Sequence, residues 1–485
     1  MKLAFLQDFA PIGILLLGAA GCAALDLRAF DSRGRRGHAT RWLTLATLIL
    51  AFGASIGFWH SSFGSTPPDI EHGSLVIDRF ALYFYAITLA AAGAVVLCGA
   101  DAEAEMDPHR GVFHLLLLMS CAGVLFTASA GDLVELGSGL ALTVLPMALA
   151  QGLHKTDAAA VRTAARALSV SGFTLAMFFL GAAILAGLAG TTSLHALPAG
   201  LRQVDPLLVL GAILLVLGAL AQLGVFPYLW WRGGLSGRLP SLPFLAATLL
   251  GALAGTAALL RLLPGALGAT PASWTLAVTV LAGVTLVVAP YVAWRQRRLG
   301  PAVIFLLVGQ LALVPATLPE ISQQGTAAIL YLLLCVIPLA AGLLGLLGAI
   351  TVQGERAGTA ELRGLWARSP VLAGGLALLL ASLAGLPPLA GFFARLLTVD
   401  AALHAGLGWL VWLELLSAVL SALVVFRWLL TIFDTRVDGP DLALPERAAM
   451  IGIVLCTGAV LSFGLLVGPL FAIALRGALP PLIGP

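Results

Sequence analysis

Charged residues are scarce in this sequence. Only 10% of its 485 residues are Asp, Glu, Lys or Arg, whereas soluble globular proteins carry about 25%. Hydrophobic residues make up 60% of the chain, and apolar runs of about 20 residues, the length of a membrane span, recur throughout it. The composition excludes an ordinary soluble protein and indicates an all-α polytopic membrane protein.

Lysine and paired cysteine are also scarce. Lys2 and Lys155 are the only lysines among 26 basic residues. The five cysteines fall in apolar runs without metal-ligand spacing, which favours packed thiols over disulfides, clusters or zinc. The sequence contains no nucleotide loop, haem pair or nucleophile elbow. We therefore expect no catalytic residue, metal or cofactor in this chain, and a net charge of +3 indicates no nucleic-acid partner.

Fourteen apolar segments are candidate membrane spans. The loops between them are short, so residues 1–485 are predicted to form a single transmembrane domain. The first apolar run is not followed by a cleavage site and a soluble domain, which favours a span over a signal peptide. The predicted spans lie near residues 9–26, 42–60, 80–100, 111–129, 132–152, 166–190, 205–226, 243–262, 275–294, 300–318, 325–350, 370–399, 406–432 and 448–475.

Basic residues are distributed unevenly between the two sides of the predicted membrane. When successive spans cross in alternate directions, twenty Lys and Arg residues fall on one side and five on the other, and Arg395 remains in the membrane. Because cytoplasmic loops are enriched in Lys and Arg, the richer side is predicted to be cytoplasmic. Both termini are then expected on the periplasmic side of a bacterial inner membrane.

Two of the predicted spans are interrupted by proline. Span 7 contains Pro227, and span 12 contains Pro387 and Pro388, followed by Arg395. Proline removes a backbone donor and breaks a helix, and a broken helix survives in lipid only where it is buried in protein or lines a polar cavity. Two breaks five helices apart indicate an inverted repeat whose working sites lie at the breaks.

Three stretches carry motifs of a known family. Asp78-Arg-Phe-Ala-Leu-Tyr-Phe is similar to the start of the family's third helix, and Gln222-Leu-Gly-Val-Phe-Pro-Tyr-Leu-Trp is similar to the proline motif of its seventh. The most specific stretch is Leu362-Arg-Gly-Leu-Trp-Ala-Arg-Ser-Pro370, followed by Ser382-Leu-Ala-Gly-Leu-Pro-Pro-Leu-Ala-Gly-Phe-Phe. Together they resemble the antiporter-like membrane subunits of complex I, of the NADH-quinone oxidoreductase subunit N type.

The resemblance implies a fold, a role and a set of partners. The fold would be fourteen helices with two inverted five-helix repeats, spans 4–8 and 9–13, and with helices 7 and 12 broken. The chain would be a non-catalytic subunit of a proton-translocating assembly, surrounded by other membrane-arm subunits and the lipid bilayer. Quinone, FMN and iron–sulfur clusters are expected only in the partner subunits.

The chain departs from this family at the groups that would carry protons. The family uses buried Glu and Lys side chains, because burial and a nearby carboxylate move a lysine between its two protonation states. The resemblance puts Ala141 at the helix-five glutamate, Gln222 at the helix-seven lysine and Arg395 at the titratable helix-twelve position. The eighth span has no ionisable side chain from Phe244 to Leu260. Since a guanidinium stays protonated, the usual proton pathway is predicted to be degraded.

Three acidic residues remain as candidates for a transport path. Asp132 and Glu135 begin span 5, where acids stabilise the helix N-terminus, so they are either solvated caps or a displaced acidic partner. Glu414 lies inside span 13, and an acid within the membrane is a functional hypothesis by default. It could form a satisfied ion bridge with Arg395, take part in transport, or lie at a subunit interface.

Two histidines lie near predicted span ends, His60 at the end of span 2 and His114 near the start of span 4. Histidine changes charge near neutral pH. Each is therefore either an ordinary polar helix end or a point of proton entry.

These patterns favour an antiporter-like membrane subunit with a largely structural or supporting role in proton translocation. The alternative is a working proton or cation channel subunit of a related antiporter, hydrogenase or carbon-uptake assembly. That alternative needs a continuous polar chain between the two helix breaks. An apolar plug near Ala141 and Leu250 would exclude it.

Overall fold

The fold is helical throughout the residues that the computed structural model describes. Those residues are 10–27, 35–61, 75–106, 109–153, 158–201, 205–228, 241–263, 267–268, 274–320, 322–351, 362–435 and 445–478. Within them, twelve helices are long and apolar enough to cross a membrane, and shorter apolar helices occupy the first and twelfth predicted spans and the end of the fourteenth. The predicted helical membrane fold is confirmed.

The helices follow the predicted spans closely. The first eight are α1 (Ala10–Leu27), α2 (Arg35–Ser61), α3 (Arg79–Cys98), α4 (Arg110–Ala128), α5 (Leu133–Ala150), α6 (Ala158–Ala189), α7 (Pro206–Leu220) and α8 (Leu242–Arg261). The others are α9 (Thr275–Arg295), α10 (Leu299–Leu311, continued by Leu313–Thr317), α11 (Gln323–Thr351), α12a (Pro370–Ala384), α12b (Ala390–His404), α13 (Gly408–Ile432), α14 (Arg447–Leu465) and α15 (Val467–Gly477).

Several helices begin at an aspartate that caps free backbone amides. Asp78, Asp132 and Asp205 precede α3, α5 and α7, and each carboxylate accepts a hydrogen bond from an amide two or three residues later, at 2.7 to 3.3 Å. The first amides of a helix have no partner within it, so a short polar side chain before the helix stabilises its start. These caps place the helix starts where the polar residues meet the apolar runs.

The most deeply buried helices are α8, α10 and α11. The spans of α8 and α10 are buried along their whole apolar length, and α11 nearly so, whereas α2, α6, α13 and α14 bury only a third or so of theirs. A helix that is apolar on every side is suited to a buried position. One buried apolar cluster includes residues from Ile12 to Ala478, so the described helices share one core.

Contacts near the helix ends agree with the predicted alternating order of the spans. At one end, which we call the arginine-rich end, Arg41 at the start of α2 binds Glu446 before α14, and Arg427 at the end of α13 donates to the Gln296 carbonyl after α9. At the other end, Arg261 at the end of α8 binds Asp78 before α3. Each contact joins segments that the alternation assigns to the same side.

The helix pairings of the first half recur in the second. α4 packs on α5 and α8, and α9 packs in the same way on α10 and α13. α7 packs on α6 and α8, and the two halves of α12 pack on α11 and α13. This recurrence agrees with repeats at spans 4–8 and 9–13, although their inverted relation stays a prediction.

Helix α14 contacts both the end of α3 and the break in α12. A Cβ added at Gly452 would lie 2.8 Å from the Cys98 backbone nitrogen, and one added at Gly464 would clash with the Pro388 carbonyl oxygen. Only glycine permits such close approach to a backbone. The five cysteines, including Cys98, are buried and free, which confirms that they are packed thiols.

Candidate functional site

The first break follows α7 and is stabilised by α9. One further turn reaches Leu223, and Gly224 then reverses the chain with a φ of +74°. The peptide between Phe226 and Pro227 is cis. The Phe226 amide donates to the Thr285 hydroxyl of α9 at 3.1 Å. A polar side chain of a neighbouring helix thus satisfies the backbone that the break exposes.

The second break separates α12a from α12b. Gly385 ends α12a with a φ of +80°, and the Leu386 amide donates to the Ala381 carbonyl at 3.0 Å, as in a glycine-terminated helix. The Pro387–Pro388 peptide is cis. Beyond it, the Gly391 amide donates to the Ser382 hydroxyl at 3.1 Å. The two halves of α12 are therefore hydrogen-bonded to each other across the break.

The two breaks share one local pattern. Each has a glycine at positive φ, Gly224 or Gly385, with a proline three residues later, Pro227 or Pro388. A left-handed glycine terminates a helix without the steric cost of a Cβ, and proline cannot resume the helical hydrogen bonding at once. The predicted breaks in helices 7 and 12 are confirmed, and the common pattern supports a repeat relation between them.

Arg395 lies on the second turn of α12b and is buried, with 7% of its surface exposed. Its Nη2 donates to the Leu383 carbonyl at 3.5 Å, and the same carbonyl accepts from Gln310 Nε2 at 2.9 Å. A Cβ added at Gly385 would lie 3.1 Å from Arg395 Cδ, so the side chain crosses the break. The guanidinium is held at the carbonyl end of α12a, where the helix dipole favours a positive charge.

Glu414 lies near Arg395 but does not bind it directly. The carboxyl is 3% exposed and interacts electrostatically with Arg395. Between these two described residues there is no hydrogen bond or ion pair within 4.0 Å, and Glu414 Oε1 and Arg395 Nε both lack a hydrogen-bond partner. The satisfied ion bridge that we considered is therefore not formed, because the guanidinium reaches the Leu383 carbonyl instead.

The face of α13 that carries Glu414 is polar. Ser417 and Ser421 follow at helical spacing and are buried with it, whereas Leu415 and Val419 on the other faces are exposed. Residues three and seven positions apart lie on one side of a helix. The interface position considered for Glu414 is thus not where the carboxylate lies, because it faces the interior of this chain.

Asp132 and Glu135 both serve as caps at the start of α5. Asp132 accepts from the Val134 amide at 2.7 Å and from the Thr192 hydroxyl. Glu135 accepts from the Gly131 amide at 3.0 Å. This reciprocal arrangement satisfies free amides at a helix N-terminus, so both half-buried acids act as caps, and a part in transport stays a prediction.

Gln222 lies just before the first break, buried between helices. Its Nε2 donates to the Thr174 hydroxyl of α6 at 3.3 Å. A Cβ at Gly255 would lie 2.9 Å from Gln222 Cβ, and one at Gly251 would lie 3.1 Å from the Gln222 carbonyl oxygen. Gln222 therefore fills the space beside α8 as a hydrogen-bonded packing group.

Helix α8 presents no ionisable side chain along its buried length. Every residue from Leu242 to Leu260 is buried. Its two threonines, Thr248 and Thr256, donate back to carbonyls of their own helix. Leu250 is completely buried, and Ala141 on α5 is half-buried against the same core. Leu250 is thus part of the buried core, and an apolar plug at this position stays a prediction.

A buried charged cluster at the arginine-rich end was missed by sequence reasoning. Arg41 is 1% exposed. Its Nε donates to Glu103 Oε2 at 2.8 Å, its Nη1 to Glu446 Oε1 at 2.5 Å and its Nη2 to the Ala100 carbonyl at 3.0 Å. These partners lie 62 and 405 residues from Arg41 along the chain, so no local spacing could have indicated them.

His114 belongs to this cluster and is not a solvated helix end. It is completely buried, and its Nε2 lies 3.6 Å from Glu103 Oε1. The carboxylate of Asp101 accepts a hydrogen bond from the Glu446 amide at 2.9 Å, and burial raises the pKa of Asp101. In the sequence, only the position of His114 on an apolar helix could have indicated that it belongs to a buried cluster. The side chain of His60 lies outside the described residues.

Comparisons with known proteins agree on one family. The model of "NADH:quinone oxidoreductase/Mrp antiporter, TM" matches residues 130–421, a range that includes both breaks and Glu414. NADH-quinone oxidoreductase subunit N 1 of Sorangium cellulosum (strain So ce56) is 31% identical over 509 residues, which cover 97% of this chain and 97% of that protein.

Solved structures show the same fold at lower identity. A chain of respiratory complex I from Thermus thermophilus with bound Aureothin has a TM-score of 0.78 and 22% identity, covering 96% of this chain and all of that one. A chain of the Mrp complex from Dietzia sp. DQ12-45-1b has a TM-score of 0.78 and 18% identity, covering 97% of each. Both structural similarities extend over nearly the whole helical bundle of this chain.

Proposed function

Because this chain belongs to the NADH:quinone oxidoreductase/Mrp antiporter transmembrane family and is an antiporter-like membrane subunit of the complex I type, we propose that its role is largely structural. It supports proton translocation in neighbouring subunits without a complete proton pathway of its own. The whole chain acts as one membrane domain.

The observation that carries this proposal is the apolar centre of the bundle. α8 contacts the end of α7 and also α11, and α11 contacts α12b. Neither α8, from Leu242 to Leu260, nor the described α11 contains Asp, Glu, Lys, Arg or His. A proton moving between the two breaks along these helices would meet fully buried side chains such as Leu250. Burying an ion in such surroundings without a partner is very costly.

The chemistry of Arg395 supports the same role. A guanidinium does not release its proton in proteins, so Arg395 cannot alternate between charged and neutral forms as a lysine can. Its contacts are with the backbone that flanks the break. Arg395 therefore stabilises the broken helix, and Glu414 provides a nearby counter-charge.

We infer the assembly that contains this chain from its relatives in the same family. Its partners are the other membrane-arm subunits of a complex I-type assembly and the surrounding lipid, in a bacterial cell membrane. Quinone, FMN and iron–sulfur clusters belong to those partner subunits. The arginine-rich end faces the cytoplasm, in line with the positive-inside rule, and both termini are periplasmic.

The experiment is proton translocation by the assembled complex with Arg395 replaced. Arg395→Ala removes the charge, and Arg395→Lys restores a side chain that can titrate. Each complex is purified in mild detergent, its subunits are identified, and proton uptake per electron is measured in vesicles. We expect both variants that assemble to translocate as many protons per electron as the unsubstituted complex.

The competing function is a working proton or cation channel, and the two buried groups at Arg395 and Glu414 without complete hydrogen bonding are the observation that favours it. That function predicts that Arg395→Ala lowers the protons translocated per electron while assembly stays normal. A lower ratio in a fully assembled Arg395→Ala complex would contradict the structural role. If the complex assembles with Arg395→Lys but not with Arg395→Ala, the result supports the structural role.

A further inference from the structure

We propose that Glu103 and His114 form a buried proton-binding pair at the arginine-rich end, with Arg41 and Glu446 as its fixed charged neighbours. This site lies outside the axis between the two helix breaks. It uses groups on α2, α4, the turn after α3 and the segment before α14.

Two facing polar atoms of this cluster lack a hydrogen-bond partner, and a proton between them would supply one. Arg41 uses all three of its nitrogen groups, on Glu103 Oε2, Glu446 Oε1 and the Ala100 carbonyl. Glu103 Oε1 then has no hydrogen-bond partner, and neither ring nitrogen of His114 has one. The two unsatisfied atoms, Oε1 and Nε2, lie 3.6 Å apart. A proton on Nε2 and a small side-chain movement would join them in a charge-assisted hydrogen bond.

Because both groups are buried, it is costly for Glu103 Oε1 and His114 Nε2 to stay without a hydrogen bond. Glu103 and His114 are each 0% exposed. A buried polar atom without a partner costs free energy, which is why such atoms in a native structure require an explanation. A neutral ring with its proton on Nδ1 leaves both atoms unsatisfied. A proton on Nε2 satisfies both, and in the doubly protonated ring this bond joins opposite charges, which strengthens it.

Other charged groups also lie around α4. At the same end, Asp101 contacts Glu446, and His38 lies 3.9 Å from Glu446 and is mostly exposed. Asp26 of α1 lies against Gly111 and near His109, and Arg110 begins α4 itself. On the helices packed against α4, Arg35 and Arg36 also lie at this end, at the start of α2, whereas Arg79, Asp132, Glu135 and Arg261 lie at the opposite end.

The test is the protonation state of His114, measured by nitrogen NMR. The full chain is labelled with [15N]histidine, placed in lipid nanodiscs and studied at pH 6, with His114→Gln or His114→Asn used to assign the signal. We expect both ring nitrogens of His114 to carry protons in the unsubstituted chain. In Glu103→Gln the ring should carry one, because a lone buried imidazolium has lost its counter-charge.

An exposed histidine provides the matched control. His404 lies 3.7 Å from Asp400, and both side chains are more than 60% exposed. Asp400→Asn should leave the protonation of His404 at pH 6 nearly unchanged, since water screens that pair. A singly protonated His114 in the unsubstituted chain would overturn the proposal, whether or not any variant folds. So would a doubly protonated ring that persists in folded Glu103→Gln. Neither result depends on proton translocation by the complex.

Discussion

The electrostatic relation between Arg395 and Glu414 can be measured by a double-mutant cycle. Arg395→Met and Glu414→Gln each remove one charge and leave the other buried. Breaking a buried pair in this way typically costs about 3–5 kcal/mol. The double variant leaves no unbalanced charge, so it should be less destabilised than the sum of the two single variants.

The size of the coupling is limited by geometry. Two unit charges 4 Å apart attract each other by about 4 kcal/mol at an effective dielectric constant of about 20. Arg395 and Glu414, both described, form no ion pair within 4.0 Å, and Arg395 Nε and Glu414 Oε1 have no hydrogen-bond partner. The coupling free energy should therefore lie below that limit, at about 1–3 kcal/mol.

The assay is the free energy of unfolding of the full chain in mixed micelles, from detergent titration of the four proteins. His404→Gln is the control partner, because it lies nine residues along α12b, about 13 Å from Arg395, and is exposed. Its effect should add to that of Arg395→Met within about 0.5 kcal/mol. If Arg395→Met and Glu414→Gln are additive to the same degree, the two charges do not interact and the reasoning fails.

Three further predictions concern stability. Gly391→Ala should destabilise the chain by about 1–3 kcal/mol or more, because the added Cβ would clash with the Ser382 carbonyl. The control Gly375→Ala should be tolerated, because the nearest atom to its Cβ would be 3.6 Å away. Detergent titration compares the free energies of unfolding of the two variants. Arg261→Met should cost about 2–4 kcal/mol by the same assay, since it removes two bonds of 2.8 Å to Asp78. Asp101→Asn should raise the melting temperature more at pH 8 than at pH 4.5, because burial raises the pKa of this carboxyl.

The sign of the last prediction follows from proton linkage. A carboxyl whose folded-state pKa is raised binds its proton more tightly in the folded chain. Its stabilising contribution is complete below about pH 4, the ordinary carboxyl range, and is lost as the pH rises through the raised value. The asparagine variant has no such dependence, so its advantage should increase with pH. An advantage that is constant across this range would show that Asp101 ionises equally easily in both states.

The helices and their breaks were predictable because each depends on local sequence. Apolar runs of about 20 residues locate α2 to α14, and Gly385 with the adjacent prolines is sufficient to end α12a. The capping roles of Asp132 and Glu135 follow in the same way from their positions at the start of α5. These features need only residues that are neighbours along the chain.

The contacts of the charged groups were not predictable, because they depend on packing between distant segments. Arg395 had two potential partners, and only the position of α12a shows that it reaches the Leu383 carbonyl and not Glu414. Arg41 was counted with the loop arginines, yet its partner Glu446 lies 405 residues away. His114 looked like a helix end, because nothing in the sequence shows that the turn after α3 covers it with Glu103.

The close contacts of α14 have a mechanical consequence. The helix starts beside Glu446, which Arg41 holds, and eighteen residues later Gly464 touches the backbone of Pro388. A rise of 1.5 Å per residue makes this a rod of about 27 Å. A helix resists compression along its axis, and glycine leaves no flexible side chain at Gly464 to absorb a displacement. We therefore expect an axial shift of Glu446 to displace the broken segment of α12, across most of the thickness of the membrane.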